Sequence, residues 1–263
     1  MNTQLLGNRA LVAGASDGIG LAVAQELAVA GKSCTLLARH EDKLKRALES
    51  LAPCPVNPHD YIVGDLSDSV SLLQTMQHYM ETSGNKFDIL INNSGGPMPG
   101  PAHQAKLDDF LKGFNPHLMA FHTLMQVCLP SMKEKGFGRI VNIISTSVKQ
   151  PIPGLGVSNT VRGAVASWAK TLAYELGPFG ITVNNVLPGA TLTSRLTAVL
   201  ENKAKTLKLG IEEVIAEEQK LIPLRRFAQP AEIAACVGFL CSSAASYVNG
   251  INLPVDGGRT QCL

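Results

Sequence analysis

Short apolar runs alternate with helix-like patterns along the whole chain, and no other feature restricts the possible folds as strongly. Runs rich in β-branched and apolar residues predict strands at residues 9–13, 33–38, 60–63, 87–91, 138–144, 181–186 and 251–253. The segments between them are long enough for helices, so we expect parallel strands with helices on both faces. The 263 residues, 45% of them hydrophobic, contain no dividing linker or repeat. We therefore predict an α/β fold, with a single domain over residues 1–263 and a doubly wound parallel sheet of about seven strands.

A glycine-rich turn directly follows the first predicted strand. It reads Gly14-Ala15-Ser16-Asp17-Gly18-Ile19-Gly20 and leads into a helix predicted for residues 21–30. Glycines let the backbone turn sharply and approach a pyrophosphate, while the helix N-terminus offers unpaired N–H groups and partial positive charge to the anion. A plain turn between a strand and a helix is the alternative. The context favours a dinucleotide site that includes Gly14, Ser16, Asp17, Gly18, Ile19 and Gly20.

The end of the second predicted strand indicates which dinucleotide is bound. It reads Leu37-Ala38-Arg39, without the carboxylate that would bind both ribose hydroxyls of NAD. An acid would repel a 2′-phosphate, whereas the Arg39 guanidinium can pair with it and Ser16 can add a hydroxyl. Arg39 would also suit an ordinary exposed position at a strand end. We predict NADP(H) as the cofactor, in preference to NAD(H).

Residues 193–227 depart from the alternation of strands and helices. The segment is rich in Lys, Glu and Leu, and it contains two helical stretches with a break at Leu209-Gly210. A solvated helical excursion would explain the charges. The segment also follows the carboxyl end of a strand, where ligands bind in open α/β sheets. We predict a helical lid over the substrate.

Composition and charge limit the possible partners. The net charge is only +2, with dispersed basic residues, so we expect neither nucleic acid nor a membrane surface. The first residues lack a basic segment followed by a long apolar stretch, and no apolar run approaches membrane-spanning length. The six cysteines lack metal-ligand spacing. We expect a cytoplasmic protein without a metal that acts on a small-molecule substrate.

Four motifs together resemble the short-chain dehydrogenase/reductase (SDR) family over nearly the whole chain. They are the glycine-rich turn, Asn92-Asn93-Ser94-Gly95, Asn142-Ile143-Ile144-Ser145 and Pro188-Gly189-Ala190-Thr191-Leu192-Thr193. The resemblance implies a Rossmann-type fold. It also implies that Asp65 meets the adenine, that Asn92 supports the loop beside the adenosine ribose, and that Pro188 and Thr193 hold the nicotinamide amide. Further cofactor residues implied by the same motifs are Leu66, Ser94, Gly95, Gly189 and Thr191.

The catalytic part of the family pattern is replaced in this chain. In the family, the serine matching Ser145 is followed thirteen residues later by the tyrosine of Tyr-x-x-x-Lys, and here that count reaches Ser158-Asn159-Thr160-Val161-Arg162. The family asparagine on the preceding long helix corresponds to His117. Only Ser145 remains. The pattern is similar to an atypical SDR subgroup labelled 3-oxoacyl-carrier-protein-reductase-like, which has Ser-Asn-x-x-Arg in this place.

These replacements change which side chains can move a proton. Ser158 has an aliphatic hydroxyl that is shorter and much less acidic than the family's phenol. Arg162 keeps a positive charge and can bond the nicotinamide ribose, but it does not deprotonate. His117 is our candidate proton carrier because imidazole titrates near neutral pH, with a merely packed or solvent-facing histidine as the equal alternative. Lys149, in the loop after Ser145, is a further candidate.

Two reactions and one inactive role fit these residues. The protein reduces a small carbonyl, or it reduces a conjugated enone. In the second reaction the first product is an enolate that needs hydrogen-bond donors, for which Ser145, Ser158 and Arg162 are available, and water supplies the later proton. The alternative is an NADP-binding sensor or partner subunit that has lost its chemistry.

The resemblance also implies a homo-oligomer, either a tetramer or a dimer. The family usually assembles through helices that correspond here to residues 111–135 and 157–176. Apolar positions on these helices suit either a partner subunit or the sheet, since any core requires one apolar stripe per helix. The positions in question are Leu118, Phe121, Val165 and Trp168.

Overall fold

The computed structural model describes residues 9–262, and its strands form a seven-stranded sheet. The strands are β1 (Arg9–Ala13), β2 (Ser33–Ala38), β3 (Asp60–Val63), β4 (Ile89–Asn92), β5 (Gly138–Ile143), β6 (Ile181–Pro188) and β7 (Asn252–Val255). Their order is 3-2-1-4-5-6-7, and every neighbouring pair is parallel. The predicted doubly wound Rossmann-type sheet is confirmed. The bounds of β1, β2 and β3 are those predicted from the sequence.

Helices connect the strands and cover both faces of the sheet. They are α1 (Gly18–Val29), α2 (Glu41–Glu49), α3 (Ser69–Ser83), α4 (Leu107–Phe114), α5 (Ala120–Lys135), α6 (Gly156–Leu176), α7 (Ser194–Leu207), α8 (Ile211–Lys220) and α9 (Pro230–Cys241). Helix α1 begins at Gly18, three residues before the predicted start, because Asp17 caps it. Among the described residues, no helix combines the length and the hydropathy needed to cross a bilayer.

The long helix predicted for residues 111–135 is a helical run that changes width. Helix α4 passes into a π-helical turn, Asn115–Met119, which continues as α5. Within the turn, Pro116 has no N–H to give to the helical ladder, and the Ala120 N–H reaches back five residues to the Asn115 carbonyl. The wider turn carries His117 into the interior, where its side chain is fully buried.

Alternate residues of the strands enter two separate apolar layers. On β1, Leu11 and Ala13 pack toward the layer that contains α3, α5 and α6, while Ala10 and Val12 pack toward α1, α2 and α9. Burial on both faces explains why the central strands β1 and β4 are largely apolar runs. Phe121 of α5 and Val165 of α6 are fully buried in the first layer. These two side chains therefore pack against the sheet and not against a partner subunit.

A ladder of asparagines crosses the carboxyl half of the sheet. Asn92 on β4, Asn142 on β5, Asn185 on β6 and Asn252 on β7 occupy successive positions in register. Each amide donates to the next one at 2.8 Å, from Asn92 to Asn142, then to Asn185 and finally to Asn252. The ladder fixes the register of four neighbouring strands, from the last residue of β4 to the first residue of β7, and the loops that follow β4, β5 and β6 contribute to the candidate site.

Residues 193–227 contain the two helices predicted there, α7 and α8. The break between them falls at Lys208, which adopts a left-handed conformation with φ +55°, and continues through Gly210 at the start of α8. The segment has a small apolar cluster of its own, with Leu200, Ala204, Val214, Ile222 and Phe227 as its buried members. Because this cluster is separate from the two main layers, the segment is packed as a unit of its own above the sheet.

Candidate active site and cofactor cradle

The glycine-rich turn is built so tightly that side chains would not fit at two of its glycines. Gly14 has φ +61°, and a Cβ there would lie 2.7 Å from both the side-chain amide and the backbone oxygen of Asn93. A Cβ at Gly20 would lie 2.1 Å from the Gly14 carbonyl oxygen. Asn93 also donates from Nδ2 to the Gly14 carbonyl at 3.1 Å. The glycines therefore let the turn pack closely against Asn93 and lead directly into the N-terminus of α1. A turn of this kind before a helix N-terminus fits a dinucleotide pyrophosphate.

Asp17 occupies the same helix end and links it to the segment that follows β6. One carboxylate oxygen accepts the Gly18 N–H at 2.6 Å, and the other accepts the Ser194 hydroxyl at 2.8 Å. A cavity of about 430 Å³ opens between the first turns of α1 and α7. Its lining residues are Asp17, Gly18, Leu21, Ala22, Gln25, Leu192, Thr193, Ser194, Thr197 and Pro230. The cradle thus combines an anion-attracting backbone with one negative side chain.

The ends of β2 and β3 carry the remaining residues predicted to meet the adenosine half of a cofactor. Arg39 is exposed directly after β2, and Ser16 is half-buried in the glycine-rich turn. The pKa of the Asp65 carboxyl is lowered from its usual value: partial burial opposes the shift, but hydrogen bonds from Ser67 and the positive charge of Arg39 outweigh it. Leu66 packs against the core beside Asp65. Arg39 and Asp65 therefore lie close to each other at this edge.

The two asparagines after β4 have different partners. Asn92 belongs to the ladder within the sheet, whereas its neighbour Asn93 holds the glycine-rich turn. Successive side chains of a strand point in opposite directions, which separates the two amides. Ser94 donates to the Gly95 carbonyl at 3.2 Å and closes the turn that follows. The support that Asn92 is predicted to give to the loop beside the adenosine ribose stays a prediction, and the contact of Asn93 with the glycine-rich turn was not predicted from the sequence.

The residues after β6 lead from the sheet into α7. Pro188 ends β6, and the Gly189 N–H bonds the Val255 carbonyl of β7 at 2.9 Å. Thr191 is buried and donates to the Gly189 carbonyl at 3.1 Å. Thr193 caps α7 by accepting the Leu196 N–H at 3.4 Å. The predicted nicotinamide-side residues thus form a continuous connection that ends at the N-terminus of a helix.

The Ser-Asn-x-x-Arg motif lies at the start of α6, against the end of β5. Ser145 accepts the Ser147 N–H at 3.1 Å, which leaves its own hydroxyl proton available for donation. Ser158 and Arg162 are one turn apart on the same face of α6, and both are buried. The Arg162 guanidinium donates from Nη1 to the carbonyls of Ile144 at 2.8 Å and Ile143 at 3.3 Å. A fixed cation therefore lies beside Ser145.

Arg162 is protonated despite its burial. Burial, and after it the charge of Arg195, lowers the pKa of Arg162 to about 10. Near neutral pH the guanidinium is therefore still charged and donates hydrogen bonds without releasing a proton. Asn159, between Ser158 and Arg162, bonds both the N–H and the carbonyl of Ile152, at 3.4 and 2.9 Å. It thereby fixes the loop before α6, a role that the sequence motif did not suggest.

His117 lies in this region but differs from the proton carrier expected from its residue type. Its Nδ1 donates to the Gly113 carbonyl at 2.8 Å, and its Nε2 is buried without a hydrogen-bond partner among the described residues. Burial first, and then the charge of Arg162, lowers the pKa of His117 to about 3. The neutral ring can accept a hydrogen bond at Nε2 but has no proton to donate there. His122 is exposed on another face of α5.

Arg195 reaches the candidate site from the first turn of α7 and was not predicted from the sequence. Its guanidinium donates to the Gly96 carbonyl at 3.1 Å and to the Pro97 carbonyl at 3.4 Å. Partial burial of the guanidinium lowers its pKa. The site thus contains two arginine cations, two serine hydroxyls and one neutral imidazole. Such a set can stabilise negative charge on an oxygen, but it contains no phenol-like acid.

The fold, the glycine cradle and the serine after β5 define a dinucleotide-binding oxidoreductase of the Rossmann type. The profile of the family described as enoyl-(acyl carrier protein) reductase matches residues 14–260. The chain belongs to the short-chain dehydrogenase/reductase family, as its motifs suggested.

Characterised relatives match along nearly their full length. NADPH-dependent reductase BacG of Bacillus subtilis (strain 168) is 32% identical over 257 residues, which cover 97% of this chain and 98% of that protein. The 7alpha-hydroxysteroid dehydrogenase of Escherichia coli (strain K12) is 29% identical over 265 residues, or 100% of this chain and 98% of that protein. The structure of L-sorbose reductase from Gluconobacter frateurii, complexed with NADPH and L-sorbose, has a TM-score of 0.91 at 28% identity and full coverage of both chains.

Proposed function

We propose that this protein is an NADP-dependent reductase whose substrate is a conjugated enone. The observation that carries the proposal is the buried Arg162 guanidinium, held on the Ile143 and Ile144 carbonyls beside Ser145. It provides a permanent hydrogen-bond donor in the motif where the family has a tyrosine and a lysine. Reduction of a carbonyl requires an acid that protonates oxygen, whereas reduction of an enone first requires donors for an enolate oxygen.

The cofactor preference follows from the residues that would hold it. Gly14, Gly18 and Gly20 give the backbone cradle, and Arg39 is the cation for a 2′-phosphate. Thr193 and Arg162 are proposed for the nicotinamide end. When bound, the nicotinamide supplies a hydride. NADPH is also the cofactor named for relatives that match the whole chain, which supports the same choice.

The side chains around Ser145 would orient the substrate and hold the negative charge that develops on its oxygen. Ser145 has a free hydroxyl proton, and Arg162 and Ser158 lie on the adjacent face of α6. A donor aimed at an oxyanion in a partly buried site stabilises it more than the same donor does in water. His117 would accept a hydrogen bond at Nε2 and position its donor. The carbon next to the carbonyl would then take its proton from water.

Reduction of a small carbonyl is the second candidate. It is favoured by the printed names of relatives, which include an L-sorbose reductase and a hydroxysteroid dehydrogenase. The two reactions differ in the carbon that receives the hydride. In carbonyl reduction it is the carbon that becomes a carbinol, and in enone reduction it is a carbon of the new single bond.

Deuterium transfer distinguishes these reactions. The protein is incubated with a host-cell metabolite extract and NADPH deuterated at C4 on each face in turn, and products are searched by mass spectrometry. We expect deuterium on a carbon of the newly saturated bond. Deuterium on a carbinol carbon would mean carbonyl reduction. If the protein binds NADPH but no metabolite gains deuterium, it is instead a sensor or partner subunit.

Restoring the family's phenol tests the proposed role of the missing tyrosine. In an enone reductase, Ser158→Tyr removes a donor from a buried position and adds a ring that must displace its neighbours. We expect turnover of the deuterium-labelled substrate to fall. A Ser158→Tyr variant that reduces the substrate faster than the wild type would contradict the enone proposal.

We further propose that residues 193–227 act as a substrate lid and that the protein is a homo-oligomer. The hydrogen bond between Ser194 and Asp17 supports the first proposal, because it links the segment to the cofactor cradle. Exposed apolar residues on α4 and α6, Leu111 and Tyr174 among them, support the second. Light scattering tests the assembly, and a stable monomer would contradict it.

A further inference from the structure

Two arginines of the candidate site lie at the carboxyl ends of neighbouring strands. Arg195 is held by the loop after β4, through the carbonyls of Gly96 and Pro97, and Arg162 by the last residues of β5 and the one after it. β4 and β5 are adjacent and in register from Ile89 to Asn92. A Cβ at Gly113 would lie 3.4 Å from the Pro97 ring and 3.1 Å from the side chain of Val161, the neighbour of Arg162, so the loop that holds Arg195 packs beside the helix that carries Arg162. The charge of Arg195 also contributes to the lowered pKa of Arg162.

Neither guanidinium is balanced by a carboxylate. Among the ion pairs of residues 9–262, none includes Arg162 or Arg195. Each guanidinium has five N–H donors, and carbonyl oxygens of the chain occupy only part of them. Arg162 is buried, and a buried cation without a partner is costly, whereas Arg195 is exposed at the surface of the site. A carboxylate or phosphate is the partner that suits an arginine best. Arg162 and Arg195 can therefore bind an anionic group of a ligand, since no carboxylate of the described residues pairs with either of them.

The guanidinium of Arg195 lies directly against Gly96, where a side chain would collide with it. A Cβ at Gly96 would lie 2.5 Å from Nη2 of Arg195, and one at Gly95 would lie 3.9 Å from Nη1. Neither glycine has a positive φ, so the backbone conformation does not require it. What glycine provides at position 96 is room for the guanidinium against the loop. The structure therefore contains a specific seat for Arg195.

The seat adjoins the proposed reaction centre. A Cβ at Gly113 would lie 3.4 Å from the Pro97 ring, and the Gly113 carbonyl is the one that holds the His117 imidazole. Arg195 thus donates to the carbonyl of Pro97, whose ring lies beside Gly113, the residue that holds the His117 imidazole.

We propose that Arg195, together with Arg162, makes this site selective for a substrate that carries a carboxylate group, with Arg195 as the specificity-determining residue. The inference rests on the proposed function, because it names the substrate class of that same site. Carboxylate and phosphate share the chemistry that an arginine recognises. The cofactor's own phosphates are therefore the competing source of the anion, and the test must separate the two.

Binding measurements without turnover provide that separation. Three carboxylates and their neutral amides are titrated calorimetrically into the protein saturated with NADP+: acetate and acetamide, 4-oxopentanoate and 4-oxopentanamide, benzoate and benzamide. For at least one pair we expect the wild type to bind the carboxylate about tenfold more tightly or better. Arg195→Met should abolish this preference. Its Kd for NADP+, titrated without carboxylate, should change by less than about threefold.

Two further variants show whether the effect belongs to this guanidinium. Gly96→Ala keeps the charge but fills the seat, so it should reduce the carboxylate preference as well. Lys205→Met removes an exposed cation from the same helix, α7, and should behave like the wild type. Unfolding curves of all variants check that the fold is intact.

Three results would overturn the inference: no wild-type preference for any carboxylate over its amide, a preference that survives in Arg195→Met, or a loss of NADP+ affinity as large as the loss of carboxylate affinity. The last would assign the guanidinium to the cofactor. The deuterium experiment adds a fourth, since a labelled product without a carboxylate contradicts the inference while leaving the reductase proposal intact. Conversely, absence of labelled product contradicts the reductase proposal. The titrations still test the carboxylate preference in that case, because they measure binding and do not require turnover.

Discussion

The proposed cofactor cradle and the proposed reaction centre lie at the same edge of the sheet, but they are built from different parts of the chain. The cradle is made of backbone: glycines whose added side chains would collide with Gly14 or Asn93, and the first turn of α1. The proposed reaction centre is made of side chains on α6, α7, the π turn and the loop after β5. By the resemblance of the motifs, the family pattern is kept in the cradle, and we propose that it is replaced in the reaction centre. A backbone cradle tolerates little change, whereas side-chain chemistry changes with single substitutions.

The largest effect is expected from a side chain placed inside the cradle. Gly20→Ala puts a Cβ 2.1 Å from the Gly14 carbonyl, and backbone cannot move aside cheaply. We expect the free energy of unfolding to fall by about 4 kcal/mol or more, with NADPH binding no longer detectable. Urea unfolding and fluorescence titration measure both.

Gly31→Ala is the matched control for this change. Gly31 has a positive φ, +76°, which Gly20 does not have, and a Cβ there would meet no atom within 4 Å. The cost should be only about 1 kcal/mol, and NADPH affinity should not change. Wild-type NADPH affinity in Gly20→Ala would contradict the importance that we give to the cradle.

Removing the fixed cation of the reaction centre should produce the next largest effect. Arg162→Met is expected to lower kcat/KM about 100-fold while NADPH still binds, and Arg162→Lys should recover part of the loss because it keeps the charge. Arg139 offers a control at the opposite end of β5, the strand whose last carbonyl Arg162 contacts, since Arg139 is buried and donates to the Gly138 carbonyl at 2.8 Å. Arg139→Met should reduce stability but not kcat/KM. Equal activity losses in the two variants would mean that Arg162 has only a structural role.

The neutral state of His117 predicts how stability depends on pH. Its pKa is lowered to about 3 in the fold, so between that value and about 6.5 the unfolded chain binds more protons than the folded one. The stabilisation is complete above the unfolded pKa and decreases as the pH falls, by about 1.4 kcal/mol per pH unit.

The His117→Gln variant should lose this part of the pH dependence, which urea unfolding at pH 5 and pH 7.5 would reveal. His122→Gln, at an exposed position on α5, is the control and should keep the wild-type dependence. If the two variants have the same pH dependence as the wild type, the His117 imidazole is not buried as a neutral ring.

The smallest effect is expected where the cradle contains its one negative side chain. Asp17→Asn keeps an oxygen for the Gly18 N–H and removes a charge from the helix end that would face a pyrophosphate. We expect NADPH to bind about threefold more tightly at low salt, with the difference decreasing at high salt. Asp68→Asn makes the same change at the cap of α3, where Asp68 accepts the Ser71 N–H at 3.0 Å, and should leave NADPH affinity unchanged. Weaker NADPH binding in Asp17→Asn would mean that the carboxylate itself contacts the cofactor.

Particular residues explain where sequence reasoning was sufficient. β1 and β2 were predicted with their observed bounds because burial on both faces leaves a largely apolar run that ends abruptly. The bounds of β3 also match, although Ile62 is its only buried residue. The predicted start of α1 was less accurate. Glycine disfavours helix, so residues 18–20 were assigned to the turn, whereas the Asp17 cap starts the helix at Gly18. The two helices of residues 193–227 and the break between them were readable, because helical periodicity and a glycine are local signals.

The candidate site was only partly predictable for the opposite reason. Arg195 donates to the carbonyl of Gly96, which is 99 positions away in the sequence, and no local pattern around either residue predicts the contact. The only signal was a second glycine after Gly95, which the family motif did not require. Likewise, the motif contained Asn93, but only the pleat of the strand separates its role from that of Asn92.

The sequence by itself determined the fold class and the family, and it predicts the glycine cradle and the replacement of the family's tyrosine and lysine. These depend on apolar periodicity, on backbone freedom at glycines and on residue identity at fixed spacing, all of which are local properties. Only the tertiary structure decided which groups can exchange a proton. The pKa of His117 is set by burial and by Arg162, which lies 45 positions away in the sequence but near it in the fold. Desolvation and charge act through space, so the same histidine that suggested an acid in the sequence is a neutral hydrogen-bond acceptor in the folded protein.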